Sequence, residues 1–290
     1  MQLGYSITSA ISADLSPDHS ATNVIERTDI VADAGYDYVQ AGDHHAVAGA
    51  GYLQNIPMTA RLASTIDKVV PLFLLPVWDP VYVAEQVGTL STFADVDIWV
   101  AIGRDDQAEA MGIPAHERVP RLVEGLELIR ELWDEDDVTY EGEFYSVENM
   151  SVNPKADPRI IMGGTAEPAV RRAGRLADGW VANAHVPVDE IADRVDWFND
   201  TNDGPVLARR DILIRDDGDE ARQLARTALE DGYRGWPVDA NWLLIGDVDD
   251  VADQLRELQA AGVEEVVVRP MLDEYAEESL RGVATAREAL

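Results

Sequence analysis

The string "GDHHA", residues 42–46, ends an apolar run with a carboxylate and two of the chain's five histidines side by side. Imidazole is the side chain whose ordinary pKa lies nearest neutrality, so His44 and His45 are candidates for proton transfer. Metal binding is the other chemistry such a pair suggests. If the strand ran on through both residues, adjacent side chains would face opposite ways and could not easily share one ion, so no metal ligands are assigned. A polar loop with two solvated imidazoles is the plain alternative.

A second candidate lies in "IIMGGTAEPAVRRAG", where a strand runs into a helix through Gly163, Gly164 and Thr165. Glycines let a backbone approach a ligand closely, and the unpaired N–H groups at a helix start favour a phosphate. The competing reading is an ordinary tight turn with Thr165 as helix cap. Arg104, in "WVAIGRDDQAEAMG", carries a guanidinium that matches phosphate bidentately, or one that simply pairs with Asp105 or Asp106.

These groups need a scaffold that gathers them. Short β-like runs alternate with amphipathic helical stretches, often joined as helix, glycine, strand. In "VDDVADQLRELQAAGVEEVVVRP", Asp247 and Asp250 stand as helix N-cap and N3 acid before apolar residues at helical spacing. Strands are expected near 2–7, 36–41, 69–75, 97–102, 159–162, 179–182, 207–214 and 264–269. Eight strands separated by helices predict an α/β fold, a closed (β/α)8 TIM barrel, and not an open doubly wound sheet, since no early glycine-rich dinucleotide turn is present. The segment "VTYEGEFYSVENMSVNP" reads as a small hairpin inserted after the fourth barrel helix, and residues 1–290 read as one domain. In such a barrel reactive groups lie just past each strand, which selects Ser6 to Ser9, Asp43 to His45, Pro76 to Asp79, Gly103 to Asp106, Gly163 to Thr165, Asn183 to His185, and Arg269 with Pro270.

Composition narrows the partners. Fifty-five acidic residues against 23 basic ones give a net charge of −32, which argues against nucleic acid. The acids are spread along the chain and only Lys68 and Lys155 are lysines, a pattern expected of a surface adapted to high salt, as in a halophile. With no cysteine, disulfides, thiolate metal sites and cysteine nucleophiles are excluded. The amino-terminal residues lack a signal-peptide pattern and no segment reads as a membrane span, so a cytoplasmic protein is expected.

Two family resemblances follow. "DHH" resembles the signature of the DHH phosphoesterases, but their early Asp-x-Asp element and further metal-binding motifs are missing. The ordered series "AGYDYVQAGDHHA", "LFLLPVWDPVYVAEQVGTLS", "AMGIPAHERVPRLVEGLELIRELW", "VTYEGEFYSV" and "PRIIMGGTAEPAVRRAGRLADGWVA" closely resembles the luciferase-like flavin and deazaflavin oxidoreductases, over about residues 2 to 185. That resemblance implies hydride chemistry on a flavin-type ring at the barrel mouth. It puts His44 at the acid–base position beside the ring, with His45 shaping the pocket, and Asp106 near a catalytic carboxylate. Arg104 and Gly163 to Thr165 fall where relatives hold the cofactor phosphate. Pro71 and Leu72 fall where deazaflavin-using relatives often carry a non-proline cis peptide that supports the ring.

Three functions stay open: hydride transfer between coenzyme F-420 and a small organic substrate, an FMN-dependent monooxygenase, and a barrel that binds flavin without turnover. The resemblance also implies a homodimer or higher homo-oligomer, with "DPVYVAEQVGTLSTF" as interface candidate. "EDGYRGWPVDANW" is the expected specificity loop.

Overall fold

The computed structural model describes residues 1–11, 16–45, 51–233 and 238–290. Eight parallel strands close into a barrel surrounded by helices, as expected. They are β1 (Gln2–Ile7), β2 (Tyr38–Ala41), β3 (Lys68–Leu74), β4 (Ile98–Ala101), β5 (Ile160–Gly163), β6 (Gly179–Ala182), β7 (Val206–Ile214) and β8 (Glu265–Pro270). Each falls on an expected strand, the boundaries differing by a residue or two. Strands covered on both faces read as near-continuous apolar runs, which is why "IIMG" and "GWVA" are almost wholly buried.

The connecting helices are α1 (Pro17–Asp33), α2 (Asn55–Leu62), α3 (Pro80–Leu90), α4 (Arg118–Asp134), α5 (Glu167–Leu176), α6 (Val188–Asn199), α7 (Gly218–Glu230), α8 (Val248–Ala260) and α9 (Ala276–Glu288). Helix α8 shows how local sequence sets an element. Asp247 caps it in a reciprocal box with Asp250, and Val251, Ala252, Leu255 and Leu258 form its buried stripe.

Contacts divide the chain into two compact units: residues 1–7, 23–40 and 161–290, and residues 8–22 and 41–160. In the first, β1 pairs with β8, β8 with β7, and β7 with β6. In the second, β3 pairs with β4, and the expected hairpin forms from antiparallel strands Val138–Glu141 and Ser146–Met150. Its turn is tied down by Glu124 of α4, whose carboxylate accepts the N–H groups of Glu143, Phe144 and Tyr145 at 3.1, 2.9 and 2.8 Å.

A second interruption, not expected from the sequence, lies between β7 and β8. Strand Leu243–Gly246 pairs with Asp211–Ile214, beyond the point where β6 stops pairing at Ala208. Nine residues of β7 against four of β6 leave backbone groups on its upper edge that need partners, and the inserted strand supplies them.

The expectation of a cis peptide near Pro71–Leu72 is corrected. Among the described residues the cis bond is Asn153–Pro154, and β3 is trans throughout. Side chains hold the upper end of β3 instead. Asn55 donates to the Leu72 carbonyl at 2.5 Å, and the Leu74 N–H donates to the Asp43 carboxylate at 2.8 Å.

Candidate active site

Asp43 organises the rim past β2. Its side chain is buried, and one oxygen accepts both the Leu74 N–H at 2.8 Å and the Trp78 indole N–H at 2.7 Å. The other oxygen lies 2.7 Å from His45 Nε2. Two fixed donors, the Leu74 N–H and the Trp78 indole N–H, settle where this carboxylate sits and stand its other oxygen against His45. The Asp43 contact raises the His45 pKa above its ordinary value, while partial burial opposes the rise. Trp78 also meets the His45 ring edge-on, with centroids 5.5 Å apart.

His44 sits in different company. Its ring lies 4.4 Å from that of Tyr52, and its backbone carbonyl accepts from Gln54. The two rings therefore lie in different surroundings, with the imidazole at position 45 against the buried carboxylate. Sequence reasoning placed Asp43 on the rim but gave it no task. The signal available was its position just past an apolar run.

A crevice of about 190 Å³ is lined by His45, Leu74, Gly103, Arg104 and Gln107, among others. Gly103 is required there twice over: its φ is +72°, and a Cβ would meet Leu74 Cδ1 at 3.2 Å. Arg104 itself is exposed and makes a two-point contact with Asp106, at 3.0 and 2.8 Å. Asp105 is taken by Arg118, which also donates to the Gly103 carbonyl. Hydrogen bonding from Arg104 lowers the Asp106 pKa, which makes that carboxylate a weaker base than an ordinary one. Pro71 is buried, while Leu72 is the half-buried residue within the buried run Val69–Pro76.

Past β5 the two glycines differ. A Cβ on Gly164 would meet the Ala169 Cβ at 2.8 Å, so this glycine lets α5 close on its strand. A Cβ on Gly163 would make only ordinary contact, with Val181 Cγ1 at 3.7 Å, so no close approach requires a glycine there. Thr165 is not the helix cap: Ala166 takes that position and α5 has no side-chain cap. Instead the Thr165 hydroxyl accepts from Asn183 at 3.2 Å and lies 3.5 Å from His185, while its carbonyl accepts from Arg194 at 3.0 Å. Burial, then Arg194 and Arg210, lowers the His185 pKa. The Thr165 hydroxyl, the Asn183 amide and the His185 imidazole form a group that fits a phosphate. The Asp43–His45 pair fits a proton relay beside a redox ring.

A further cluster links β7 and β8. Tyr233 donates to Asp211 at 2.9 Å, and Arg269 contacts both, with Nη2 at 3.3 Å from Asp211 and 3.2 Å from the Tyr233 oxygen. Arg269 was legible as a rim residue. Asp211 was not, because it lies inside the run "VLARRDILI" and reads as strand. Nearby on β1 and β2, Ser6 donates to Gln40 at 2.9 Å, both side chains buried. Among the described residues no group of three or more histidines, cysteines or carboxylates could hold a metal ion.

Known proteins share this framework. An uncharacterised protein of Mycobacterium tuberculosis is 30% identical over 55% of this chain and 58% of its own length. An F420-dependent glucose-6-phosphate dehydrogenase of Microbacterium testaceum is 27% identical over 53% of this chain, which spans half of that enzyme. An FMNH2-dependent dimethylsulfone monooxygenase of Pseudomonas fluorescens is 25% identical over 72% of this chain and 70% of its own. In fold, the monooxygenase RslO1 of Streptomyces bottropensis superposes with a TM-score of 0.88 at 18% identity, covering 100% of this chain and 99% of that one. The profile of the luciferase-like monooxygenases matches residues 1–265, and with the closed barrel and the rim residues above, the chain belongs to that family of oxidoreductases.

Proposed function

We propose that the protein transfers a hydride between coenzyme F-420 and a small organic substrate. The observation that carries this reading is the buried Asp43 carboxylate holding His45. Hydride transfer to or from a carbon–oxygen bond needs one group to give or take the oxygen's proton, and an anchored imidazole with a raised pKa does so near neutrality. In the reducing direction His45 delivers that proton to the substrate oxygen, and in the oxidising direction it removes it. Asp43 keeps the ring oriented and balances its charge. The deazaflavin, when bound, supplies or accepts the hydride.

The remaining assignments follow from family resemblance and local chemistry. His44, to which the resemblance gives the proton transfer, stands instead against the Tyr52 ring and shapes the pocket in this reading, and Leu72 offers a partly open apolar side chain to a ring, with Pro71 stiffening the backbone beside it. Gly163, Gly164 and Thr165 serve the cofactor phosphate, aided by Asn183. Arg104, on leaving Asp106, is a phosphate ligand by the family resemblance. The substrate is a small molecule, and the protein acts as a homodimer through α3 and the turn that follows it, where Tyr82 and Phe93 respectively are exposed aromatics.

Use of reduced FMN in a monooxygenase is the second reading, supported by the FMNH2-dependent relative that matches over 72% of this chain. Parallel titration in molar salt against oxidised F-420 and FMN, followed by cofactor fluorescence, separates the two. Tight binding of F-420 with weak FMN binding supports hydride transfer. The reverse preference moves the protein to the monooxygenases, and binding of neither removes the phosphate assignment.

A further inference from the structure

The two faces of β7 do different work. Asp211 turns to Tyr233 and Arg269, whereas Arg210, the adjacent residue, leaves the opposite face of the strand. Its side chain is 1% exposed. Nη1 donates to the Arg209 carbonyl and Nη2 to the Val186 carbonyl, both at 2.8 Å, while Nε has no hydrogen-bond partner. Among the described residues no carboxylate forms an ion pair with it. Burial pulls its pKa down to about 10, so it still carries its charge at neutral pH. Its hydrogen bonds go to neutral carbonyls, and the charge of neighbouring Asp211, which opposes the fall in its pKa, is already shared with Arg269.

Arg210 lines a cavity of about 810 Å³, well within the range for small-molecule sites. The cavity lies between the start of α6 and the inserted strand Leu243–Gly246, so both walls come from the first compact unit. Val188, Ala240 and Trp242 supply apolar surface. The acids Asp189, Asp239 and Glu257 also line it, and Arg222, which could offset them, is already paired with Asp219 and Asp250 at 3.0 and 2.8 Å. One unpaired buried cation among three acids selects for a single negative charge and against several.

We propose that this cavity, which adjoins the Thr165–Asn183–His185 group through the Trp242 ring 6.0 Å from that of His185, binds a monoanionic organic acid with an apolar body, in which Arg210 provides the buried counter-charge and Trp242 the apolar wall. The carboxylate of such a ligand approaches the guanidinium, and its body covers the indole. The acids repel the ligand through solvent and Arg210 attracts it in a drier setting. Raising the salt therefore screens the repulsion more than the attraction, and affinity holds or rises with ionic strength.

Calorimetric titration of the full chain, without cofactor, tests this with benzoate as the probe and with benzamide and phenyl phosphate as its uncharged and dianionic counterparts. Saturable one-to-one binding of benzoate is expected, at least tenfold tighter than either counterpart. Arg210→Gln is expected to weaken benzoate at least tenfold. Ala240→Trp, which adds bulk to the cavity wall and leaves Arg210 in the chain, is expected to do the same, and it decides the matter where Arg210→Gln fails to fold. No benzoate binding, equal binding of benzamide, or wild-type benzoate affinity in Ala240→Trp would overturn the proposal. None of these outcomes depends on which redox cofactor the protein uses.

Discussion

Replacing Asp43 by Asn is the sharpest perturbation of the rim, because the geometry says what survives. The Leu74 and Trp78 N–H groups share one oxygen, and His45 faces the other. An asparagine with its carbonyl turned to the shared position keeps both of those bonds. Its amide nitrogen then faces His45 and donates to Nε2, which requires the neutral imidazole. The variant therefore inverts the proton preference of His45 while preserving the fold around it. Two bonds to a carboxylate, about 1.5–3 kcal/mol each, become two neutral ones of about 0.5–1.5, a loss of about 2 kcal/mol or roughly 4–6 °C in melting temperature at neutral pH. The pH dependence is more telling. A histidine whose folded pKa is raised adds stability that is fully present below its unfolded value of about 6.5, and that stability fades as pH rises through the higher folded value. The gap between wild type and variant must then be wider at about pH 5.5 than at about pH 8.5. Melting curves across that range, with the His45 ring followed by NMR, read both effects. An equal gap at both ends, or a His45 that titrates as it does in the wild type, would refute the assignment of Asp43 as the group that sets the proton affinity of His45.

Other consequences are testable without knowing the substrate. Asp211→Ala leaves Arg269 without its buried partner and should destabilise by about 3–5 kcal/mol in urea unfolding. Arg104→Ala should leave the melting temperature unchanged, since its contact with Asp106 is solvent-exposed, yet weaken the preferred cofactor at least tenfold in the fluorescence titration. Tyr82→Asp combined with Phe93→Asp should convert a dimer to monomer in light scattering, because each places a charge on an exposed aromatic position.

The barrel was legible because its signal is repeated. Each strand is a short apolar run between amphipathic helices, and slips at single boundaries do not change the order. The inserted strand Leu243–Gly246 escaped notice because four apolar residues ahead of a capped helix look like a helix lead-in. Only the excess length of β7 gives them a partner. In the same way, the capping box at Asp247 could be read from spacing alone, whereas the failure of Thr165 to cap α5 could not, since its hydroxyl is drawn to Asn183, eighteen residues away.

The site divides along the same line. Residue types that do chemistry can be picked from the sequence, and "DHH" was picked first. Which of two adjacent histidines retains its proton is decided by groups distant in sequence. Trp78 and the Leu74 backbone lie more than thirty residues beyond Asp43, and together they fix the oxygen that does not face the imidazole. The family resemblance assigns proton transfer to His44, and the buried carboxylate argues for His45. The two assignments differ in a measurable way. If His45 carries the proton, Asp43→Asn shifts the pH profile of turnover along with the His45 titration. If His44 does, the profile stays in place and only stability responds, since the Asp43 carboxylate contacts His45, Leu74 and Trp78.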